Sequence, residues 1–204
     1  MRLSKARKAC LTAMMKDAIF EAAHAVLEQH GANGFTMERV AAKAGLATGS
    51  LYNYFQGKDD LLQRAYTRGV EPFLLAVSEA AESDRSAPEK LHAILGISLE
   101  QAVEHKVLLR LLVGTSQGAQ IREDVRPRFL RILVSIFEQG IRERAFRPHN
   151  PAHTSRMFQG CLSSLFELQS DGASDEELSE YVGMLVDATV NGFSIHMGRE
   201  AEDK

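Results

Sequence analysis

Three groups of side chains in this sequence are spaced for chemistry. The first is Thr48-Gly49-Ser50-Leu51-Tyr52-Asn53-Tyr54, with Lys58 four residues on. Hydroxyl and amide groups there suit phosphate oxygens and base edges. Lys58, opening a helix, joins a cation to free backbone N–H groups, which makes a phosphate clamp. The second group is a pair of Glu-x-x-His patterns, Glu21–His24 and Glu89–His92. Two such i, i+3 pairs, with two further inward glutamates, hold a di-metal centre in some helical bundles. The third is an apolar set, Phe73, Phe129, Phe137, Met157, Phe158 and Phe166. Among these fall polar His92, His105, Gln117, Gln159, Cys161 and Glu167. Small-molecule cavities have that make-up, an apolar wall with a few polar fixers.

The metal reading is the weakest of the three. Glu21 and His24 lie off the inward stripe Ile19, Ala22, Ala23, Val26, Leu27 of their helix. Glu89 follows Pro88 in a first helical turn, where a carboxylate serves the helix dipole. No further inward glutamates offer themselves. Hydrolase triads, glycine-rich phosphate loops and clustered Cys/His zinc ligands are absent from the sequence. The expectation is a protein that is not an enzyme and needs no cofactor, the metal-dependent bundle remaining as the alternative.

The elements that must position these groups read as helices throughout. Ala, Leu, Glu, Arg and Met recur, Pro numbers only 5, and no β-branched alternating run occurs. Apolar residues make up 45% and charged residues 25%, an ordinary globular balance. No segment has the ~18 charge-poor apolar residues of a membrane helix, and the basic N-terminus lacks an apolar signal core. With Cys10 and Cys161 far apart, a cytoplasmic setting is expected.

A first helix is predicted over about 13–30, capped by Gly31. A second is predicted over 37–44, with Thr36 as N-cap and Gly45 for the turn. A third, capped by Thr48, carries Leu51, Tyr52 and Phe55. Two short helices joined by a three-residue turn have the spacing of a helix-turn-helix. The second helix of that motif enters the DNA major groove. Further helices are predicted over about 58–82, 89–105, 108–113, 124–145, 152–169 and 174–197. The front is mildly basic, with eight Lys/Arg and six Asp/Glu in residues 1–60 against sixteen and twenty-one in 61–204. Arg2, Lys5, Arg7 and Lys8 are expected to trail along DNA as a disordered arm, or to be a solvated tail.

The last two helices carry apolar residues on more than one face. Met157, Leu168, Leu178, Tyr181, Leu185, Val186 and Phe193, with small Gly160 and Ser164, suit a two-fold four-helix seam between chains. A monomer core needing both faces is the alternative reading.

The span from Ile19 to Leu62 resembles the N-terminal domain of TetR-type transcriptional repressors. The resemblance rests on Ala22-Ala23, Gly31, Phe35-Thr36, Val40-Ala41, Ala44-Gly45, Leu51-Tyr52, Tyr54-Phe55, Lys58 and Leu61-Leu62. It covers about a fifth of the chain; the rest matches only in length and helical content. It implies an all-α, nine-helix homodimer. Residues 1–57 would form the DNA-binding domain and 58–204 the larger effector-binding and dimerisation domain. It implies base reading by Thr48, Gly49, Ser50, Tyr52 and Asn53, and phosphate contacts from Thr36, Tyr54 and Lys58. It further implies release of a palindromic double-stranded operator by a small molecule, apolar or amphipathic from the cavity composition. Asn53 departs from the aromatic or basic residue usual there, so no operator sequence is carried over. An activator with the same head would look identical in these residues.

Overall fold

The protein, described by a computed structural model over residues 5–192, is built from helices. They are α1 Lys5–Gly34, α2 Met37–Lys43, α3 Thr48–Leu51, α4 Lys58–Glu82 and α5 Ala87–Glu104. After these come α6 Lys106–Gly114, α7 Ser116–Arg142, α8 Pro151–Asp171 and α9 Asp175–Leu185, then a π-helical segment, Val186–Asn191. No strand occurs among the described residues.

Side-chain caps set many of the helix starts. Thr36 Oγ1 accepts from the Arg39 N–H at 3.3 Å and starts α2, with Glu38 in the first turn. Ser86 and Glu89 form a reciprocal capping box at α5, and Ser174 and Glu177 form another at α9. Thr115 caps α7 through the Gly118 N–H at 3.0 Å, and Asn150 caps α8. Each such cap contributes about 1 kcal/mol. Gly45, at φ +68°, supplies the left-handed residue that turns the chain from α2 toward α3.

Packing divides into two clusters. One holds the front of the molecule: Ile19, Val26, Phe35, Val40, Leu51 and Tyr66, and it continues into Ala102, Leu109, Ile121, Leu165 and Leu178 of the later helices. Leu51 is fully buried, worth about 1.5–3 kcal/mol to the fold. The other cluster gathers around Phe137, whose ring lies 5.8 Å from Phe146 and 6.1 Å from Phe158. Tyr66 sits where the front meets the body; burial pushes its phenol up to about 12, with Thr115 acting weakly in the opposite sense. It stays neutral at any physiological pH.

Several sequence expectations change. α1 begins at Lys5, so Lys5 and Arg7 are helical rather than part of a disordered arm; Arg2 lies outside the described residues. α1 ends in a kink at Gly31, φ +63°, followed by one more turn. Thr48 is the first residue of α3 and not its cap; Ala47 holds that place without a side-chain bond. Regular α3 stops at Leu51, yet the Tyr54 and Phe55 N–H groups both donate to the Leu51 carbonyl at 2.9 Å, so the helical course runs on. α7 starts eight residues earlier than predicted because Thr115 satisfies the backbone where two glycines suggested a break. Regular α9 gives way to the π segment after Leu185.

Candidate functional site

The helix-turn-helix segment presents its polar groups outward around a buried anchor. Leu51 and Phe55 point inward, while Tyr52, 55% exposed, and Asn53 and Gly49 stand in solvent. Thr48 and Ser50 are half-buried beside them. Tyr54 is half-buried against the front cluster, so its ring packs and its edge remains reachable. Thr36 is half-buried and its hydroxyl is engaged as the α2 cap. All eight residues singled out from the sequence as DNA contacts thus fall on or beside one prong, α2–α3 and the start of α4.

Lys58 stands at the first position of α4, after Gly57. Its Nζ donates to the Ala32 carbonyl at 3.3 Å, which ties α4 to the last turn of α1, just past the Gly31 kink. Asp60, two residues on, accepts from the Gln56 N–H at 2.9 Å and from Arg64 Nε at 2.6 Å. The Arg64 bond first, then the Gln56 N–H, holds the Asp60 carboxyl below the usual carboxylate range. A depressed folded-state value means a stabilisation present above the ordinary carboxylate range and lost as pH falls through that lowered value. Thermal melts of the parent and Asp60→Asn should therefore differ by a constant amount near neutral pH. The gap should close on acidification; a gap independent of pH would remove Asp60 from the α3–α4 junction.

Behind the prong, α4 to α8 enclose a cavity. Its space is about 110 Å³, or about 810 Å³ with the open cleft counted. Phe73 forms one wall, with Phe129 and Phe166 each 6.1 Å away. Gln159 lines it and donates to Ser163 Oγ at 2.7 Å. So Phe73, Gln159 and Phe166 meet as expected. The others do not reach it. Phe137 and Phe158 belong to the second cluster, because residues 158 and 159 are rotated about 100° apart on α8. His92 is exposed, its Nδ1 2.9 Å from the Pro88 carbonyl. His105 is exposed at the α5–α6 junction, and Cys161 is half-buried against the second cluster, its backbone carbonyl accepting from the Tyr181 hydroxyl. The Gln117 side chain lies outside the described set.

The sequence reading missed Gln101 and the two arginines of the cavity wall, Arg122 and Arg126. Arg126 pairs with Glu123 at 2.7 Å. The missed signal was their i, i+4 spacing, hidden because Arg122 lay before the predicted start of α7.

The Glu-x-x-His pairs do not converge. The Glu89 carboxylate is taken by the Ser86 N–H and hydroxyl, which also lower its pKa, and His24 is exposed beside Glu28. Among the described residues no three His, Cys, Asp or Glu side chains cluster for a metal ion.

On α8, Met157, Gly160 and Leu168 are exposed and Ser164 is half-buried, all on one face. Leu178 and Leu185 correct the interface expectation: they are buried in the chain's own core. Their face of α9 packs against α5 and α8, leaving Met184 exposed instead. Tyr181 and Val186 are half-buried against the core, and Phe193 lies outside the described residues.

Residues 19–65 match the family model of bacterial regulatory proteins, tetR family. An uncharacterized HTH-type transcriptional regulator, YhgD of Bacillus subtilis, is 26% identical over 145 residues, 69% of this chain and 76% of that one. An HTH-type regulator of Staphylococcus aureus is 29% identical over 105 residues; that match spans 48% of this chain and 57% of the relative. Among solved structures, SmeT, the repressor of the Stenotrophomonas maltophilia multidrug efflux pump SmeDEF, superposes with a TM-score of 0.73 at 17% identity. That match covers 88% of this chain and 90% of SmeT. FadR of Bacillus subtilis, in complex with stearoyl-CoA, superposes with a TM-score of 0.71 at 22% identity, over 88% and 98%. These structures share the fold, and the sequence relatives are regulators rather than enzymes. Residues 19–65 thus carry the DNA-binding module of the tetR family, and the chain as a whole is similar to TetR-type transcriptional regulators.

Proposed function

We propose that this regulator is a homodimeric repressor, released from a palindromic operator when a small apolar or amphipathic molecule enters the α4–α8 cavity. The base-reading groups are Thr48, Gly49, Ser50, Tyr52 and Asn53, and the phosphate contacts are Thr36, Tyr54 and Lys58. One observation carries the reading: α4 opens at Lys58 beside the prong and brings Phe73 into the cavity wall. Fifteen residues at 1.5 Å each make that lever about 22 Å long.

The cavity is smaller than the ~300–1,000 Å³ of most ligand sites, so entry requires its walls to part. Pro72 in α4 and Pro127 in α7 each remove a helical hydrogen bond near it, which localises bending there. A ligand favouring the parted form lowers operator affinity by its differential affinity for the two forms. FadR, a fold neighbour, holds stearoyl-CoA, and SmeT represses a drug pump. Long-chain acyl thioesters and apolar drugs are the first molecules to try.

The test captures genomic fragments on purified protein, sequences them, and titrates the bound operator with those molecules. Operator binding reversed by one of them supports the reading. Binding that no apolar or amphipathic compound weakens, or a fold that binds no fragment selectively, would end it.

The dimer seam is the exposed α8 face with Met184. A Cβ on Gly160 would meet nothing within 4 Å in this chain. Gly160→Leu should leave the isolated chain as stable as before, or slightly more so from helix propensity. It should raise the dimer dissociation constant at least tenfold in sedimentation equilibrium. An unchanged constant would move the seam elsewhere.

A further inference from the structure

The wall of the α4–α8 cavity is one-sided in charge. Two of the side chains lining it are cations, Arg122 and Arg126 of α7, and none of the described residues lining it is an acid. Three more are neutral polar groups, Gln101 of α5 and Gln159 and Ser163 of α8. The rest is apolar, with the Phe73 ring 6.1 Å from those of Phe129 and Phe166.

Helix geometry puts the arginines at the edge of that wall. Ile121, Val125 and Phe129 line the cavity at four-residue steps, so their stripe faces inward. Arg122 and Arg126 each follow one of these residues, turned about 100° around α7, and both are exposed. Their stems can cover the rim of the stripe while the guanidinium groups stay wet. At i, i+4 the two are neighbours on one face, and like charges so placed repel. Arg126 pairs with Glu123 at 2.7 Å, but both members are about half exposed. A surface pair of that kind is weak, so Arg126 can exchange Glu123 for another oxyanion at little cost. Pro127 has no N–H to donate to the Glu123 carbonyl, which leaves the turn carrying both arginines free to adjust.

We infer that the cavity takes an amphiphile with an oxyanionic head, a carboxylate or phosphate held by Arg122 and Arg126 at the rim, with its apolar tail running in toward Phe73. This rests on the effector reading of the cavity and adds to it the charge of the ligand. A guanidinium offers either head paired N–H donors in matching geometry. A neutral amphiphile gains only the burial of its tail. A cationic one meets two like charges and no acid in the wall.

The test is calorimetry on the full chain with four probes that share one tail: decanoate, decyl phosphate, decanol and decyltrimethylammonium, each below its micelle-forming concentration. At least one anion should bind about tenfold more tightly than decanol, the size of one charge-assisted contact. The tighter of the two anions identifies the head. The ammonium should bind more weakly than decanol. Glutamine keeps helix propensity and removes the charge, so R122Q/R126Q should lower the anions to the affinity of decanol and leave decanol and the melting temperature unchanged. E123Q keeps both arginines and removes the competing carboxylate. It should strengthen anion binding about threefold, the worth of a surface ion pair, with decanol again unchanged; arginines that served only the fold would give no such gain. The parent series and E123Q decide the matter even if R122Q/R126Q does not fold. Decanol or the ammonium binding as tightly as both anions would overturn the inference and leave the cavity reading in place. So would an anion preference that survives in R122Q/R126Q. Arginine-dependent anion binding that does not weaken operator binding supports the inference and removes the release reading instead. A parent that binds none of the four removes both.

Discussion

Gly140→Ala is expected to destabilise the protein by about 2–3 kcal/mol, the upper part of the range for overpacking a core. A Cβ on Gly140 would stand 2.1 and 2.4 Å from two Phe146 ring carbons and 3.0 Å from Ala87 Cβ. Alanine would gain about 1 kcal/mol over glycine from helix propensity alone, so the two effects compete. The clash wins because Phe146 has nowhere to go. Its ring is buried against Phe137, and its N–H donates to the Gly140 carbonyl at 3.0 Å, locking the chain just after α7. For a chain of this size the loss lowers Tm by roughly 5–10 °C. Calorimetry checks it: an unchanged Tm would show that Phe146 can swing aside freely, and the second cluster would then be looser than its ring contacts indicate.

Gly49→Leu should do the reverse, sparing the fold and removing the function. Nothing lies within 4 Å of a Cβ at Gly49, which is exposed on α3. The free protein should melt at the parent temperature or slightly above. Bound to an operator, the prong has to approach base edges closely, and four added carbons would hold it off. Operator affinity should fall at least 100-fold, about 2.8 kcal/mol at tenfold per 1.4 kcal/mol. Anisotropy titration on the captured operator is the measurement. Affinity within threefold of the parent would mean that α3 does not lie with its first turn against the DNA.

The front of the molecule was legible because its signals are local. A threonine cap, a turn glycine and an apolar anchor each act within a few residues, and Thr36, Gly45 and Leu51 all take the expected places. α4 was legible from end to end for the same reason, with Lys58 opening it. The cavity was legible only in outline. Whether Phe137, Phe158 or Phe166 lines it depends on helix rotation, which tertiary packing sets and composition does not reveal. α1 was read too short because no apolar stripe marks residues 5–12, where every described side chain is exposed; their helix rests on propensity. The interface reading failed at Leu178 and Leu185, since an apolar stripe does not say whether its partner is the same chain or another copy.

The cluster that runs unbroken from Val40 to Leu178 has a bearing on protein engineering. A chimera spliced after Gly57, with this reading head on a foreign body, would strip Ile19, Val26, Phe35, Val40 and Leu51 of the cluster members beyond the splice, among them Leu61, Leu62, Tyr66, Leu109 and Leu178. Hydrophobic patches left bare in that way invite aggregation. A usable transplant has to carry those neighbours along or supply side chains of matched volume in their place.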